Sequence, residues 1–410
     1  MRIYPVLPVL TLAASLAASL AAADIVPVVP KSGPPLAGPY TPGVLAGDYL
    51  YVSGQGAKAA DGRLPPTFEG QARQMLENLK AIVEAAGSTM DHVVYTQVYL
   101  EDMANIAELN RVYGSYFSKA PPARAVLGVA KLPGTPVEIN AVAVRNLADK
   151  KVLRVPGFDP EEPASPGVLT KDRLYISGMR GFDFATWTVP ADPAQQVILA
   201  LDGMESVLKA AGLTMAHMVF VNPYLTPAVP MDTMNREYAK RFEFGNTPAR
   251  ATIEVSALPR DARVEFTGVA VRDLTARRAV RPKNMRPSPT ASPCVFAGDT
   301  LFCSAKSAFI PGPNQGVVVE TMEQQLRQTM RNLLDGLEEA GLDFSQIVAT
   351  NVYLDDMSEF QRMNKIYALF FGGVAPTRTT IQQIASVDRS QQHAEGIYPA
   401  IEQISLIAVK

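Results

Sequence analysis

The chain has 410 residues, of which 38 are basic and 40 acidic, so its formal net charge is −2. Apolar residues make up 47% and charged residues 19%, a globular mixture that excludes a disordered or collagen-like chain. At about 100–200 residues per domain, this length allows two to four domains. The charge balance argues against nucleic-acid binding, and two cysteines and three histidines are too few for a disulfide scaffold or a typical metal site. We therefore expect neither a metal nor a cofactor.

Residues 1–23 are typical of a secretory signal peptide. Arg2 gives a positive start, residues 6–22 are apolar and uncharged, and residues 21–23 supply the small side chains of a cleavage site before Asp24. Alanine and serine dominate the apolar stretch, which does not favour a permanent membrane helix. We expect export to a periplasm or secretion, with no membrane span after cleavage. The alternative is a disordered alanine-rich leader on a cytoplasmic protein.

The same series of predicted strands and helices is repeated three times along the chain. Each copy opens with a strand-like motif: Val52-Ser53-Gly54, Ile176-Ser177-Gly178 or Cys303-Ser304-Ala305. An amphipathic helix follows and ends at Gly87, Gly212 or Gly341. Then come a strand, a second helix and a strand that opens on a proline and an arginine. The copies repeat every 127 residues or so, which is about the length of a whole domain and too long for a solenoid repeat.

The order β-β-α-β-α-β-β in each copy predicts an α+β fold, with helices over one face of a mainly antiparallel sheet. Alternating strands such as residues 137–142 put apolar side chains on one face of the sheet, and the face away from the helices would otherwise meet water. We expect the three sheets to face one another inside a single-chain pseudo-trimer, with the helices outside, and the chain to be monomeric. The predicted domains are residues 33–149, 150–276 and 277–410.

Several motifs closely resemble the RidA/YjgF/UK114 family. In the first copy they are Gly38-Pro39-Tyr40, Val52-Ser53-Gly54-Gln55 and Pro122-Ala123-Arg124, and the second copy has Pro248-Ala249-Arg250 and Val264-Glu265-Phe266. The resemblance implies a chorismate-mutase-like fold and trimers with ligand clefts between subunits. It also implies cofactor-independent hydrolysis of 2-imino and 2-enamino acids to 2-oxo acids and ammonia. Three copies in one chain would then be a covalently linked trimer.

This chemistry needs a guanidinium to bind the substrate carboxylate and a carboxyl group to move protons. Arg124, Arg250 and Arg378 are candidates for the first role, and by resemblance Glu138 and Glu265 are the acid–base residues. Each glutamate follows its arginine by 14 or 15 residues, which predicts a strand, a turn and a return strand. The alternative is a simple cross-strand ion pair at a sheet edge.

The third copy departs from this pattern. Gln403 stands where the other copies have glutamate, and the adjacent Glu402 should point to the opposite face of the sheet. Glutamine cannot take up and release a proton as glutamate can. We therefore expect the third site to be weak in catalysis or to bind only.

Other residues are assigned to the clefts by resemblance. Tyr40 would contribute a hydroxyl to one cleft only, because the other copies have Ala164 and Ala291 at the matching place. Small residues that let a backbone N–H approach a carboxylate are Ser53, Gly54, Ser177 and Gly178. The cleft asparagines would be Asn110, Asn235 and Asn364, although each could instead hold a neighbouring backbone turn.

Two histidines, both cysteines and Trp187 are interpreted as structural residues. His92 and His217 precede matching strands, but the third copy has Gln346 there, which favours surface polar residues over ligands. Cys294 and Cys303 flank a hairpin and form either a disulfide or two buried thiols. Trp187 has no counterpart and is expected to pack against its own loop.

Three functions compete at this point. The first is an imine/enamine deaminase acting on a small carboxylate-bearing substrate, and the second is a non-catalytic binder of small carboxylates or oxo acids. A ribonuclease is the least favoured, because it would need a basic groove and stacking aromatics. Export is a difficulty for the first function, because the reactive imines arise mainly in the cytoplasm.

Overall fold

The computed structural model describes residues 24–156, 158, 162–184, 186–283, 285–311, 316–385 and 398–410. The predicted signal peptide, residues 1–23, lies outside the described residues. Within the described ranges, no helix is long and apolar enough to cross a membrane.

The chain forms three units, each with one sheet and two helices. Unit 1 comprises β1 (Ile25–Val28), β2 (Gly43–Ala46), β3 (Tyr49–Gly56), α1 (Phe68–Ala85), β4 (Val93–Leu100), α2 (Ile106–Tyr116), β5 (Ala123–Gly128) and β6 (Val137–Val144). Unit 2 comprises β7 (Lys151–Val152), β8 (Gly167–Leu169), β9 (Arg173–Arg180), α3 (Pro193–Ala210), β10 (Met218–Leu225), α4 (Met231–Ala239), β11 (Ala249–Arg250), β12 (Ile253–Glu254) and β13 (Val264–Val271). Unit 3 comprises β14 (Arg277–Val280), β15 (Cys294–Ala297), β16 (Thr300–Lys306), α5 (Met322–Ala340), β17 (Ile347–Leu354), α6 (Phe360–Tyr367), β18 (Thr377–Gln382) and β19 (Glu402–Val409).

The predicted series of elements is confirmed in every unit, and one further strand precedes it. The long helices form where the apolar periodicity predicts them, and α1 buries Met75, Leu76 and Leu79 against its sheet. Gly87 and Gly341, just beyond the ends of α1 and α5, have φ values of 78°, a left-handed conformation that favours glycine.

The strand order separates the arginine and the glutamate of one unit. Unit 1 has the order β1-β2-β3-β6-β4-β5, so β4 lies between the strands of Arg124 and Glu138. It pairs parallel with β5 and antiparallel with β6. The predicted strand, turn and return strand are present, but the two strands are not neighbours in the sheet, so the alternative of a cross-strand Arg124–Glu138 ion pair is wrong. Residues 129–136 are long enough to cross one intervening strand, a span of about 10 Å, so the spacing along the chain did not require the two strands to be neighbours.

The three sheets share one core on their faces away from the helices. Tyr51, Tyr175 and Phe302 occupy matching positions in this shared core, and each is at most 2% exposed. A separate apolar core lies between each sheet and its own helices. The sheets thus lie inside and the helices outside, as predicted.

The units also contact one another through a repeated hydrogen bond. The backbone N–H of Arg124 in unit 1 donates to Ser177 Oγ in unit 2 over 2.8 Å. The same bond joins Arg250 to Ser304 at 2.8 Å, and Arg378 to Ser53 at 2.9 Å. The contacts run from unit 1 to 2, from 2 to 3 and from 3 back to 1. The three units therefore form a closed cycle.

One buried arginine contacts all three units. Arg173 of unit 2 is 2% exposed, donates to Thr300 Oγ1 of unit 3 over 2.9 Å and lies 4.0 Å from the ring centroid of Tyr49 in unit 1. Thr300 and Tyr49 stand at the positions that match Arg173 in their own units. Three identical subunits would bring three like charges together here. A single chain with different units needs to bury only one.

We expect the mature chain to be a compact monomer in solution, because the seams between its units close within one molecule. Small-angle scattering should give a radius of gyration of about 22 Å, the value for a compact chain of this length. A much larger radius with an elongated distance distribution would show three domains on a string and contradict the closed cycle.

Candidate functional site

Each contact between neighbouring units forms a cleft beside one of the predicted arginines. Cleft A lies between units 3 and 1 and contains Arg378. Cleft B lies between units 1 and 2 and contains Arg124. Cleft C lies between units 2 and 3 and contains Arg250. Each arginine therefore faces the sheet of the next unit rather than the glutamate of its own.

Cleft A brings an arginine and a glutamate to one cavity. Arg378 of unit 3 and Glu138 of unit 1 both line a cavity of 560 Å³ and are 3% and 6% exposed. No carboxylate of the described residues forms an ion pair with Arg378. Burial lowers the pKa of its guanidinium, and Glu138 is among the groups that oppose this shift. The cleft therefore presents a cation that a carboxylate ligand could neutralise.

Glu138 is held in an apolar setting beside a glycine. Burial raises its pKa to about 8, and the charge of Arg378 only partly opposes this. A Cβ atom on Gly54 would overlap the Glu138 carboxyl group. Glycine at this position leaves room for the Glu138 carboxyl group. At neutral pH Glu138 is thus mainly uncharged and able to donate a proton.

The remaining wall of cleft A carries groups that hydrogen-bond or stack. Tyr40 lines the cavity, and its ring centroid lies 5.3 Å from the Arg378 guanidinium. Thr380 also lines it, and its Oγ1 is buried without a hydrogen-bond partner. Asn364 donates to the Ala37 carbonyl over 3.2 Å, so it holds the loop that carries Tyr40.

Cleft B contains a carboxylate of its own. Glu162 Oε1 lies 3.3 Å from Arg124 Nη2 and 2.8 Å from Arg180 Nη2, and its Oε2 lies 2.9 Å from Arg180 Nη1. Arg180 Nε reaches Glu265 Oε2 at 2.8 Å. All four side chains are at most 7% exposed. Arg124, which was predicted to bind a substrate carboxylate, is thus paired with a carboxylate of the protein itself, that of Glu162.

The charges in cleft B act on both glutamates. Burial alone would raise the pKa of Glu162, but Arg180 and Arg124 hold it well below its ordinary value. Burial raises the pKa of Glu265 to about 7, with Arg180 opposing. As with Gly54, a Cβ atom on Gly178 would overlap the carboxyl group of Glu265.

Sequence reasoning missed Glu162 and Arg180, although a signal was present. Counted back from the matched Thr41 and Ser165, Glu162 stands where unit 1 has Gly38. A Cβ atom on Gly38 would already overlap Arg378. A longer side chain at that position must therefore reach the arginine of its cleft. The signal in the sequence was the glutamate itself, because unit 2 has Glu-Pro-Ala where unit 1 has Gly-Pro-Tyr.

Cleft C has no glutamate at the acid–base position. Gln403 pairs with Tyr353, as Glu138 pairs with Tyr99 and Glu265 with Tyr224, so its predicted register is confirmed. The carboxyl group of Glu402 accepts a hydrogen bond from Thr329 on α5, on the helix side of the sheet as predicted.

The other predicted residues have mainly structural contacts. The hydroxyls of Ser53 and Ser177 accept the seam hydrogen bonds and donate to the backbone carbonyls of Thr41 and Ser165, each over 2.6 Å. Asn110 Oδ1 accepts from Arg124 at 2.8 Å, and Asn235 Oδ1 accepts from Arg250 at 2.7 Å. These two asparagines therefore orient the guanidinium groups.

The remaining conspicuous side chains lie outside the three clefts. His92 and His217 each accept from the backbone N–H of a threonine three residues earlier. Cys294 and Cys303 are directly opposite on β15 and β16 and form a disulfide, one of the two alternatives left open by the sequence. Trp187 packs 5.9 Å from the rings of Phe182 and Phe184. Among the described residues no cluster of three metal-ligating side chains occurs.

The chain is thus built of three α+β units with a cleft at each contact between them. The family model described as endoribonuclease L-PSP matches three times, at residues 31–145, 157–272 and 284–391, so the chain belongs to this family. The resemblance to the RidA/YjgF proteins is thereby confirmed.

Known relatives each match about one unit. The 2-iminobutanoate/2-iminopropanoate deaminase of Escherichia coli is 38% identical over 123 residues, which is 29% of this chain and 96% of that protein. A RutC family protein of Pyrococcus horikoshii is 38% identical over 28% of this chain and 94% of its own. The solved structure of E. coli TdcF with bound serine is 35% identical, covers 29% of this chain and 98% of that one, and has a TM-score of 0.29.

We expect Glu162→Ala to destabilise the protein by about 3–5 kcal/mol, because it leaves two buried guanidinium groups without their shared anion. Added formate should restore much of the loss by binding in the vacated place. Thermal unfolding with and without formate measures both effects.

The matched control is Glu323→Ala, which breaks an exposed 2.7 Å ion pair with Arg362 and should cost at most about 1 kcal/mol. Equal destabilisation of the two variants, or an equal response to formate, would contradict the assigned role of Glu162.

Proposed function

We propose that the protein hydrolyses small 2-imino or 2-enamino acids to 2-oxo acids and ammonia, without a cofactor, and that cleft A carries out this reaction. One observation carries the proposal. Arg378, without a carboxylate partner among the described residues, and an uncharged Glu138 line the same cavity. The deaminase name of the E. coli relative supports the choice of reaction.

The reaction needs the substrate carboxylate to be fixed first. The Arg378 guanidinium is planar and can bind a carboxylate through two parallel hydrogen bonds. The unpartnered Thr380 hydroxyl can donate a third. This arrangement would leave the imine group facing Glu138, because both side chains line one cavity.

Proton transfer is then assigned to Glu138. Its carboxyl group donates a proton to the imine nitrogen, which makes the carbon electrophilic. Water adds to that carbon while the Glu138 carboxylate accepts a proton from it. Glu138 then passes this proton to the nitrogen of the adduct, the C–N bond breaks and ammonia leaves. The hydroxyl of the adduct returns its proton to the Glu138 carboxylate as the carbonyl forms. One water is consumed and Glu138 ends in its starting state.

A non-catalytic binder of small carboxylates is the second candidate. It is favoured by Gln403 in cleft C and by the internal anion of cleft B, since neither of these clefts combines a free arginine with an acid–base glutamate. Ribonuclease activity is not favoured, because a net charge of −2 gives no general attraction for a phosphate backbone.

Export of the protein is also part of the proposal. The Cys294–Cys303 disulfide supports it, because disulfides persist mainly in oxidising compartments. The substrate would then be an imine that forms, or arrives, outside the cytoplasm.

Arg378→Met should lower kcat/KM at least about 100-fold, because two charge-assisted hydrogen bonds worth about 1.5–3 kcal/mol each are lost. Arg124→Met, at the matched position of cleft B, should leave the rate within about twofold of wild type. The assay generates an imino acid in situ with an amino-acid oxidase and traps the residual imine with semicarbazide. No rate above the blank for wild type, together with calorimetric oxo-acid binding, would favour the binder. If activity is lost in Arg124→Met and kept in Arg378→Met, the catalytic site lies in cleft B and not in cleft A.

Glu138→Gln should lower kcat/KM by about 10²–10⁴-fold, the usual contribution of acid–base catalysis. In the wild type, kcat/KM should fall as the pH rises through about 8, because Glu138 then loses the proton that it must donate. Initial rates between pH 6 and roughly pH 9.5 measure this. A rate that instead rises through pH 8 would show that the carboxylate is the required form.

Unfolding experiments serve as the control for that variant. Burial raises the Glu138 pKa from 4.5 to about 8, so folding takes up a proton between these values. Wild-type stability should therefore fall as the pH rises through this window, and the loss continues until Glu138 ionises in the folded state. The variant lacks this contribution to the pH dependence, and it should remain folded.

A further inference from the structure

Cleft C contains a cavity of 370 Å³ whose lining differs from that of cleft A. Arg250 lines it from unit 2, and Lys306 and Gln403 line it from unit 3. The acid–base glutamate of cleft A is thus replaced by an amide. Its small neighbour is Ala305 instead of glycine.

Arg250 is oriented but has no anion. Its Nη1 donates to Asn235 Oδ1 over 2.7 Å, and its guanidinium lies 5.2 Å from the Tyr238 ring centroid. Burial lowers its pKa, with only Tyr238 opposing. No carboxylate of the described residues forms an ion pair with it, in contrast to Arg124 in cleft B. A partly buried guanidinium without an anion favours an anionic ligand.

A second polar group in cleft C is also unsatisfied. Thr252 Oγ1 is buried without a hydrogen-bond partner and belongs to a residue that lines the cavity. Thr252 follows Arg250 by two residues, as Thr380 follows Arg378 in cleft A. In cleft B, where the protein supplies its own carboxylate, the matching residue is Val126. The orphan hydroxyl therefore occurs in the two clefts whose arginine has no carboxylate partner.

Lys306 gives cleft C a second cation. It stands where unit 1 has Gln55, and burial lowers the pKa of its ammonium, with the charge of Asp335 opposing.

Two glutamates also line the cavity. Burial raises the pKa of Glu402 to about 8, so this residue is mainly uncharged at neutral pH, and its carboxyl group accepts a hydrogen bond from Thr329 on the helix side of the sheet. Burial also raises the pKa of Glu254, and the charge of Asp355 adds to this shift.

Gln403 completes the wall without adding charge. Its amide donates to the Thr252 carbonyl and to Gln383 Oε1, each over 3.0 Å. It therefore fixes the backbone beside Arg250. It cannot exchange protons with a ligand.

We propose that cleft C binds a short-chain dicarboxylate and does not hydrolyse it, with one carboxylate on Arg250 and the other on Lys306. The proposal does not depend on the deaminase reaction, because it involves different residues and no bond is broken. The protein would then have two small-molecule sites, cleft A and cleft C, and their ligands would differ in charge.

Calorimetry with glutarate and butyrate tests the proposal, because these acids share a chain of similar size and differ by one carboxylate. At neutral pH, glutarate should bind the wild-type chain at least about tenfold more tightly than butyrate. Lys306→Met should remove this preference, and Arg250→Met should abolish glutarate binding. Arg378→Met, in cleft A, should leave glutarate affinity unchanged.

Gln403→Glu provides a variant that keeps both cations and the fold. The added carboxylate should weaken glutarate binding by about tenfold through repulsion and by competing for Arg250. The proposal is overturned if glutarate binds no better than butyrate. It is also overturned if glutarate binding is lost in Arg378→Met and kept in Arg250→Met. Loss of deaminase activity in any of these variants leaves the binding result unaffected.

Discussion

The structure depends on a guanidinium held at each contact between two units. The backbone of that arginine ties one unit to the next through the seam serine, so the seam hydrogen bond fixes where the side chain enters the cleft. A buried cation is costly unless an anion or several hydrogen bonds compensate it. A cleft that contains no anion of its own therefore favours an anionic ligand. The three clefts differ in this respect.

The single chain allows these differences to arise. In an assembly of identical subunits, every cleft would carry the same residues, and a Gly→Glu change would fill all of them. Here Glu162 pairs with Arg124 in cleft B only, while Arg378 and Arg250 have no carboxylate partner among the described residues. Arg173 shows the same freedom where the units meet: it pairs with Asp172 and contacts Tyr49 and Thr300, the different residues at the matching positions of the other two units. The seams have thus become chemically distinct while the fold of the three units has stayed the same.

Much of the fold could be predicted because it depends on local patterns. The helices follow from apolar periodicity with glycine stops, and the register that aligns Gln403 with Glu138 follows from counting along a strand. The partners of each arginine could not be predicted in this way. The Arg124–Glu138 spacing is compatible both with neighbouring strands and with strands separated by a third, and only tertiary pairing decides between them. Glu162 was missed because its partners, Arg124 and Arg180, lie on other strands.

The central claim is that cleft A binds and converts the substrate, while cleft B is occupied by the protein itself. A crystal structure of the protein with 2-oxobutanoate, a 2-oxo acid of the kind that the proposed reaction forms, tests this most directly. We expect the ligand carboxylate on Arg378, its oxo group facing Glu138, and Glu162 still paired with Arg124 and Arg180. Ligand bound to Arg124 with Glu162 displaced, and cleft A empty, would contradict it.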